Sequence, residues 1–270
     1  MPQVNFNWEN ILEMAKKTGI PPKKRAIIRE YLQTQFLNFL YAQKKSFKLN
    51  FIGGTSLRLL YNLDRFSEDL DFDNLGLSFF EIKKLFLNAI EKLKKQGFKT
   101  EFDFKKTNHS GIGRLRFVNL LSELEISKDP KEKLMIKLDF TTPKIKSTSS
   151  VLILNRFGII QNVVVANLSS ILSQKIKAIL FRKDLQPRDF YDLVWLISQD
   201  IKPDQNLLKS LKIKNENKIW QKILNRFQKE MKQNIKIYKQ KLLPFLLNPE
   251  KVRYLDLFEN LIKTKLTKEE

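Results

Sequence analysis

Hydrophobic and polar positions divide the chain into a mixed N-terminal part and a helical C-terminal part. Within residues 1–45 apolar side chains recur every three or four positions, as on one face of an amphipathic helix. Residues 78–96 repeat this spacing and predict a second helix. Ser78, with Glu81 three residues later, predicts a capping box at its start, and Gly97 predicts its end. Further helices are predicted over 170–183, 187–199, 206–241 in one or two pieces, and 250–265.

Short apolar or alternating runs predict β-strands in the first two thirds of the chain. The predicted strands cover 47–52, 69–73, 98–105, 113–118, 122–127, 133–140 and 159–166. Residues 141–158 contain Thr-Thr-Pro and Ser/Thr clusters and are interpreted as a loop or linker. This order predicts an α+β fold: a small mixed sheet with N-terminal helices over 1–166, then a helical C-terminal domain over 167–270.

Composition narrows the class of protein. A chain of 270 residues can form one large or two small domains with a substantial core. It contains no cysteine, which excludes disulfides, thiolate metal sites and cysteine nucleophiles and fits a reducing cytoplasm. We find neither a signal-peptide pattern nor an apolar run of membrane-spanning length. We therefore expect a soluble cytoplasmic protein without a membrane partner.

The net charge of +21, from 50 basic and 29 acidic residues, favours a polyanionic partner such as nucleic acid. Codon bias in an AT-rich genome is the alternative, but it explains Lys in place of Arg rather than the excess of positive charge. Residues 206–241 hold eleven Lys and Arg against Glu216 and Glu230. This segment is a solvated surface helix, a membrane-surface helix, which the lack of clustered Trp and Phe disfavours, or, as we favour, a phosphate-backbone track for an RNA acceptor, with Lys222, Lys229 and Lys236 among its contacts.

A glycine pair marks the first candidate site. Gly53 and Gly54 follow an apolar run that is typical of a strand, and Thr55 and Ser56 then open a predicted helix. The free backbone N–H groups of a helix start, with two hydroxyls beside them, suit a phosphate. Which of the two hydroxyls is the main phosphate ligand stays open.

Two carboxylates follow the glycine pair. Asp69 and Asp71 alternate along the second predicted strand, so both side chains point to one side of the sheet. Hard oxygen ligands that face a phosphate cradle suit a nucleoside triphosphate bound with Mg²⁺ or Mn²⁺. Taken singly, a Gly-Gly turn is common and an Asp-x-Asp pair is usually solvated; the combination at this spacing is more specific.

The stretch from Gly53 to Phe72, which includes Arg65 and Ser67, resembles the first motif of the nucleotidyltransferase toxins of the AbiEii/AbiGii type, in the polymerase-β-like superfamily. The resemblance implies an NTP co-substrate, phage defence or another bacterial toxin role, and a cognate antitoxin. In some relatives it implies nucleotide addition to the tRNA acceptor end. Arg65 and Ser67 are expected to bind the nucleotide, Arg65 by neutralising the leaving pyrophosphate.

Two-metal nucleotidyl transfer calls for a third acid. Lys137 and Asp139 lie two residues apart and therefore on one face of a strand, where an edge-strand ion pair is the ordinary interpretation. This pair resembles the Lys-x-Asp motif that the family carries on a strand next to the Asp-x-Asp strand. By that resemblance Asp139 is a candidate metal-binding and catalytic carboxylate, and Lys137 a nucleotide ligand.

The later family motifs resemble two segments in the helical part. Lys175 and Arg182 share one predicted helix face, and Asp192 lies on the next helix, where a plain interhelical salt bridge is the commoner arrangement. The resemblance implies instead that Lys175 holds the triphosphate with Arg182 nearby. Asp192 would orient the triphosphate or Lys175, unless Asp189, three residues earlier, takes that role.

The sequence thus predicts a Mg-dependent, pyrophosphate-releasing NTP:RNA nucleotidyltransferase of the toxin type. Transfer to a protein or small-molecule acceptor is the alternative within enzymes. A non-catalytic RNA-binding module is the alternative from another class.

Overall fold

The computed structural model of the chain describes residues 6–211, 213 and 215–267. The chain divides into two compact units. The first unit runs to Asn62 and resumes over Phe66–Val165, and the second takes Leu63–Arg65 and the chain from Ala166 onward. The separate roles predicted for the parts before and after residue 166 stay a prediction.

The first unit is built on one mixed sheet, which has seven strands within the residues that the structure describes. The strands are β1 (Leu49–Ile52), β2 (Leu70–Asn74), β3 (Thr100–Lys106), β4 (Ser110–Phe117), β5 (Leu134–Thr141), β6 (Ser149–Arg156) and β7 (Ile159–Ala166). They lie in the order β3-β4-β5-β2-β1-β7-β6. β2 pairs antiparallel with β1 and parallel with β5, which places these strands at the centre of the sheet. The α+β prediction is confirmed.

Five α-helices belong to the described part of this unit. They are α1 (Trp8–Lys17), α2 (Lys24–Tyr41), α3 (Gly53–Leu60), α4 (Phe79–Lys95) and α5 (Leu120–Glu123). Of these, α2 and α4 pack on the face of the sheet that carries Phe72. The buried ring of Phe72 on β2 contacts Phe86 of α4, with 5.8 Å between ring centroids, and Phe86 contacts Phe36 of α2 at 5.7 Å. Because successive side chains of a strand alternate, Asp71 projects to the face opposite Phe72.

Helix α4 begins as its sequence predicts. The hydroxyl of Ser78 accepts a hydrogen bond from the backbone N–H of Glu81, whose side chain accepts from the backbone N–H of Ser78. Two donors that the helix start would otherwise leave unsatisfied are paired in this way.

Three strand predictions need correction. The strand predicted over 122–127 is wrong: α5 extends to Glu123, and the chain then turns, with Glu125 at a positive φ of 53° that an extended strand does not adopt. The loop predicted over 141–158 contains β6, whose turn to β7 at Phe157 and Gly158 uses positive φ at both positions. The strand predicted from residue 47 starts at Leu49, since residues 47 and 48 end a short 3₁₀ helix.

The second unit is helical. Its α-helices are α6 (Leu168–Phe181), α7 (Pro187–Ser198), α8 (Gln205–Lys209), α9 (Glu216–Arg226), α10 (Ile235–Leu242) and α11 (Tyr254–Thr267). Three aromatic rings form the centre of its core: Phe227 lies 5.7 Å from Phe190 and 4.6 Å from Phe258, centroid to centroid. In the described ranges, no helix is both long and apolar enough to cross a lipid bilayer.

The helix predicted over 206–241 is divided. Between α9 and α10 the chain forms a π-helical turn over Phe227–Met231 and a 3₁₀ turn over Lys232–Asn234. Lys212 and Lys214, which belong to the predicted segment, lie outside the described residues.

Candidate functional site

In the first candidate site the backbone of Gly53 lies next to the Asp71 carboxylate. Strand β1 ends at Ile52 and α3 begins at Gly53, whose φ of +84° is left-handed and favours glycine. A Cβ placed on Gly53 would lie 2.6 Å from Oδ2 of Asp71. The absence of a side chain at residue 53 therefore lets the Asp71 carboxylate lie directly against the start of α3.

The hydroxyls of Thr55 and Ser56 hydrogen-bond to backbone carbonyls at this turn. Both side chains are buried; Thr55 donates a hydrogen bond to the carbonyl of Asp69, and Ser56 donates to the carbonyl of Gly53 at 2.8 Å. A hydroxyl has one hydrogen to donate, so in this conformation neither can donate to a phosphate. The phosphate site predicted here depends on the backbone N–H groups at the start of α3.

Asp139 lies beside Asp71 on the face of the sheet opposite Phe72. We call it the open face because the side chains of Met135 and Lys137 on β5 are 41% and 34% exposed there. Asp71 and Asp139 are directly opposite in the parallel pairing of β2 and β5. Lys137 precedes Asp139 by two residues on the same face and binds its Oδ2 at 2.7 Å. The sheet therefore brings together Asp69, which directly precedes β2, with Asp71, Lys137 and Asp139, whose roles stay a prediction.

The charge of Lys137 depends on these acids. Burial lowers the pKa of Lys137, but the hydrogen bond to Asp139 and the negative charges of Asp139, Asp69 and Asp71 outweigh burial and raise it. Lys137 is thus cationic at neutral pH and suited to an anion, and unsuited to act as a base.

The donor set fits a divalent cation in part. Oδ1 of Asp139 is buried and has no hydrogen-bond partner among the described residues, as expected of an oxygen that receives a ligand. Across residues 6–211, 213 and 215–267, however, no three acidic or histidine side chains surround a common point closely enough to hold an ion alone. Mg²⁺ usually binds one or two protein carboxylates and completes its shell with water and substrate phosphates. The site fits that mode, and metal binding by Asp69, Asp71 and Asp139 stays a prediction.

Helix α2 supports the segment that leads to Asp69, a contribution that sequence reasoning missed. Gln33 donates hydrogen bonds to the carbonyls of Ser67 and Glu68 at 3.1 and 2.8 Å, and Arg29 pairs with the Glu68 side chain at 2.7 Å. Arg29 and Gln33 are four residues apart and so share one helix face. Two polar residues on one face of an otherwise apolar helix were the sequence signal that could have indicated this contact.

The second candidate site is a buried ion cluster in the helical unit. Arg65 donates from Nε and Nη2 to the two oxygens of Asp192, both at 2.6 Å. Lys175 on α6 lies 2.7 Å from Asp192 and 2.9 Å from Asp189, both on α7. Arg182 closes the cluster through Asp189 at 2.5 Å. Arg65 is 2% exposed and Asp192 not at all, so the interhelical ion pair that the sequence left open is present and includes Arg65.

Mutual attraction keeps this cluster charged. Burial raises the pKa of Asp192, but Arg65 and then Lys175 outweigh burial and hold the pKa below its usual range. Burial lowers the pKa of Lys175, and the two aspartates in turn raise it above the ordinary value. The predicted phosphate contacts of Arg65 and Lys175 would have to compete with these carboxylates.

Residues next to Arg65 are also tied to the helical unit. The Tyr191 hydroxyl donates to Asp64 at 2.8 Å, Lys251 pairs with the same carboxylate, and Leu247 donates its backbone N–H to the Asp64 carbonyl at 3.1 Å. The second unit thus holds a segment that ends only four residues before Asp69.

The predicted RNA-contacting lysines are exposed. Lys222 on α9, Lys229 in the π-helical turn and Lys236 on α10 are at the surface, while Ile219, Ile223, Phe227 and Met231 are buried. Other cations of this region are used within the protein: Arg226 donates to the carbonyls of Ile179 and Arg182, and Lys232 pairs with Glu259 at 2.7 Å.

Comparison with known proteins adds an independent observation. Residues 38–260 match the model of the protein family described as nucleotidyl transferase AbiEii toxin, type IV toxin–antitoxin system. The chain is similar to the crystal structure of JHP933 from Helicobacter pylori, with 22% identity and a TM-score of 0.50 over 90% of this chain and 94% of that one. A candidate nucleotidyltransferase from H. pylori matches with 22% identity and a TM-score of 0.50 over 91% and 97%. At this identity the two structures show a shared fold. No curated protein sequence matches the chain significantly.

Proposed function

Since this chain belongs to the AbiEii family of nucleotidyl transferase toxins, we propose that it transfers a nucleotide from a Mg²⁺-bound NTP to a hydroxyl of an RNA acceptor. Membership of this family makes the chain a transferase of a type IV toxin–antitoxin system, which implies an antitoxin partner and an NTP substrate. The metal identity, the RNA acceptor and a tRNA 3′ end as its site are the parts that we propose.

The observation that carries the proposal is the position of Asp71. Its carboxylate lies against Gly53 at the start of α3, where backbone N–H groups favour a phosphate, and in register with Asp139 on the next strand. A carboxylate beside a phosphate would repel it unless a cation lay between them. The arrangement therefore favours a metal-bound phosphate over a free one.

Asp69 and Asp71 would hold the divalent metal, and Asp139, fixed by Lys137, would be the third carboxylate. A metal ion bound there would neutralise the triphosphate and stabilise the charge that develops on the departing pyrophosphate. The N–H groups at the start of α3 would orient the phosphates, and the Lys137 ammonium would add positive charge on the β5 side. With Oδ2 on Lys137, Asp139 has Oδ1 left to accept the proton of an acceptor hydroxyl or to bind the metal.

The RNA acceptor is supported by charge. The chain carries a net charge of +21, and Lys222, Lys229 and Lys236 are exposed along the second unit. Counterion release from a phosphate backbone would supply binding energy without sequence specificity.

The test is incubation of the protein with each radiolabelled NTP, Mg²⁺ and total cellular RNA, followed by gel analysis of labelled RNA. We expect one or more NTPs to label RNA, and Asp71→Asn to lose this activity while it keeps the wild-type circular dichroism spectrum. Label on protein with none on RNA would identify a protein acceptor. Full activity of Asp71→Asn would contradict the proposed site.

A further inference from the structure

The open face of the sheet carries charged residues well beyond Asp71 and Asp139. Residues that are directly opposite in neighbouring strands project to the same face, so the strand register defines rows of side chains across the sheet. One row contains Asp71, Asp139, Ile112 and Lys105. The adjacent row contains Lys137, Arg114 and Asp103, and the one after it Met135, Arg116 and Glu101.

Arg114 and Arg116 project from β4 onto this open face. The alternate residues of β4, Gly111 and Gly113, face the helix side, where a Cβ would meet the rings of Phe140 and Phe102 at 2.3 and 2.9 Å. The arginine side chains are 37% and 30% exposed, so both are partly open to solvent. They therefore form an accessible pair on the same face as the candidate metal ligands.

A single carboxylate is shared by the two guanidinium groups. Nη1 of Arg114 lies 3.2 Å from Oδ1 of Asp103, and Nη1 of Arg116 lies 2.6 Å from Oδ2. The hydrogen bond from Arg116, followed by the charges of both arginines, lowers the pKa of Asp103. Glu101, which is opposite Arg116, is paired with Lys133 at 2.7 Å. Among the described residues Asp103 is therefore the one carboxylate shared by the two guanidinium groups, and each of them has five N–H donors of which Asp103 takes few. Such a pair is suited to a phosphate group, which arginine binds with a bidentate geometry.

Strand order indicates whether Arg114 and Arg116 would bind the triphosphate of the NTP or a phosphate of the acceptor. The strands run β4-β5-β2-β1, so the acids on β2 and β5 lie between the Gly53 turn, which follows β1, and the arginines on β4. The proposed triphosphate site is at the Gly53 end. Neighbouring strands are about 4.8 Å apart, which places β4 about 10 Å from β2, on the side of β2 away from β1 and the Gly53 turn. In-line transfer places the attacking group opposite the departing one, so the arginine side is the side of the acceptor.

We propose that Arg114 and Arg116 bind a backbone phosphate of the nucleic-acid acceptor and so direct its end toward Asp71 and Asp139. This assignment rests on the proposed function, because it takes the acceptor to be a polynucleotide. The phosphate chemistry is shared with the triphosphate of the NTP, and the experiment separates the two sources.

The test measures binding to the full chain of two probes: a fluorescein-labelled single-stranded RNA of mixed sequence, and each NTP with Mg²⁺ by calorimetry. For Arg114→Gln/Arg116→Gln we expect RNA affinity to fall about tenfold or more at low salt, with unchanged NTP affinity. The slope of log affinity against log salt should flatten by roughly 0.7 for each phosphate that the variant no longer neutralises.

Two controls separate phosphate binding from a structural role. Arg25→Gln/Arg253→Gln removes the same charge from exposed arginines elsewhere and should leave RNA affinity within about twofold of wild type. Asp103→Asn breaks the same ion pairs as the arginine variant but keeps both cations. We expect it to bind RNA as well as the wild type or more tightly. A loss equal to that of the arginine variant would show that the pair acts only through the ion pairs of the sheet, and would overturn the proposal.

The remaining outcomes are also decisive. Loss of NTP affinity with unchanged RNA affinity would assign the pair to the triphosphate and overturn the acceptor assignment, as would unchanged affinity for both probes. Direct binding needs no transfer reaction. A wild-type chain that binds RNA through these arginines but labels no RNA with any NTP would therefore refute the proposed function and leave this phosphate site standing.

Discussion

At the scale of single residues, Gly53 combines two constraints that a side chain would violate. Its φ of +84° is unfavourable for other residues, and a Cβ would lie 2.6 Å from the Asp71 carboxylate. We expect Gly53→Ala to cost about 1–2 kcal/mol of stability from the backbone alone. Because the added methyl group must displace Asp71, nucleotide transfer should fall by two orders of magnitude or more. Urea unfolding and the RNA-labelling assay measure the two effects.

Gly19 provides the matched control for this prediction. Its φ is +72°, and a Cβ there would meet no atom within 4 Å. Gly19→Ala should therefore carry a similar backbone cost with wild-type transfer activity. Equal activity of the two variants would show that the Gly53–Asp71 approach has no role in the reaction.

Asp192 is the second residue whose surroundings lead to a quantitative prediction. Asp192→Asn would leave Arg65 and Lys175 buried with their shared countercharge removed, which typically costs about 3–5 kcal/mol. The control Asp256→Asn removes a half-exposed partner of Lys239 and should cost under about 1 kcal/mol. Urea unfolding at pH 7 measures both.

The same substitution has a predictable pH dependence. The pKa of Asp192 in the folded state is below the ordinary value of about 3.9 for an unfolded chain. Its stabilisation is therefore complete above that value and is lost as the pH falls through the folded-state pKa. The difference in unfolding free energy between wild type and Asp192→Asn should be constant from pH 7 to about 5 and shrink below about pH 4. A constant difference down to pH 3 would contradict the ionised cluster.

Among the structural elements, the segment from α9 to α10 exposes Lys222, Lys229 and Lys236 and buries apolar residues of the opposite side such as Ile223 and Phe227. If it follows an RNA backbone, Lys222→Glu/Lys229→Glu/Lys236→Glu should weaken RNA binding and flatten its salt dependence, since fewer counterions are released. NTP affinity should be unchanged. Fluorescence anisotropy with labelled RNA at two salt concentrations measures the effect.

The control for this element is a triple reversal on α4, whose Lys84, Lys92 and Lys95 are also exposed. Lys84→Glu/Lys92→Glu/Lys95→Glu changes the net charge of the chain by the same amount. A specific track predicts a large loss for the first variant and a small loss for the second. Equal losses would attribute RNA binding to overall charge, and no loss in either would remove the segment from the RNA site.

For the protein as a unit, membership of a toxin family makes a prediction about cells. Expression of the wild-type chain in bacteria without its antitoxin should arrest growth, because transfer to an RNA pool is expected to block RNA function. Asp71→Asn should permit growth at equal protein level, and Asp256→Asn should arrest it as the wild type does. Growth arrest by Asp71→Asn would separate toxicity from the proposed chemistry.

The features of this protein that depend on local spacing could be read from its amino-acid order alone. The two-residue steps of Asp69-Leu-Asp71 and Lys137-Leu-Asp139 were enough to place each pair on one strand face, because side chains of a strand alternate. The capping box at Ser78 and the helices α6 and α7 also follow from local spacing, because a helix repeats every 3.6 residues and its cap lies three residues from its partner. The family, too, was visible in the stretch from Gly53 to Phe72, since its motif is contiguous along the chain.

The partner of each charged side chain, by contrast, depends on contacts between distant parts of the chain. Arg65 lies 127 residues from Asp192, and no periodicity in the sequence relates them. The register that aligns Asp71 with Asp139 is a relation between strands 68 residues apart. The same holds for β6, whose Ser-rich start is typical of a loop until β7 supplies a strand to pair with. Pairing across such separations depends on the global packing that makes it favourable, and this is why local pattern could propose these side chains but not their contacts.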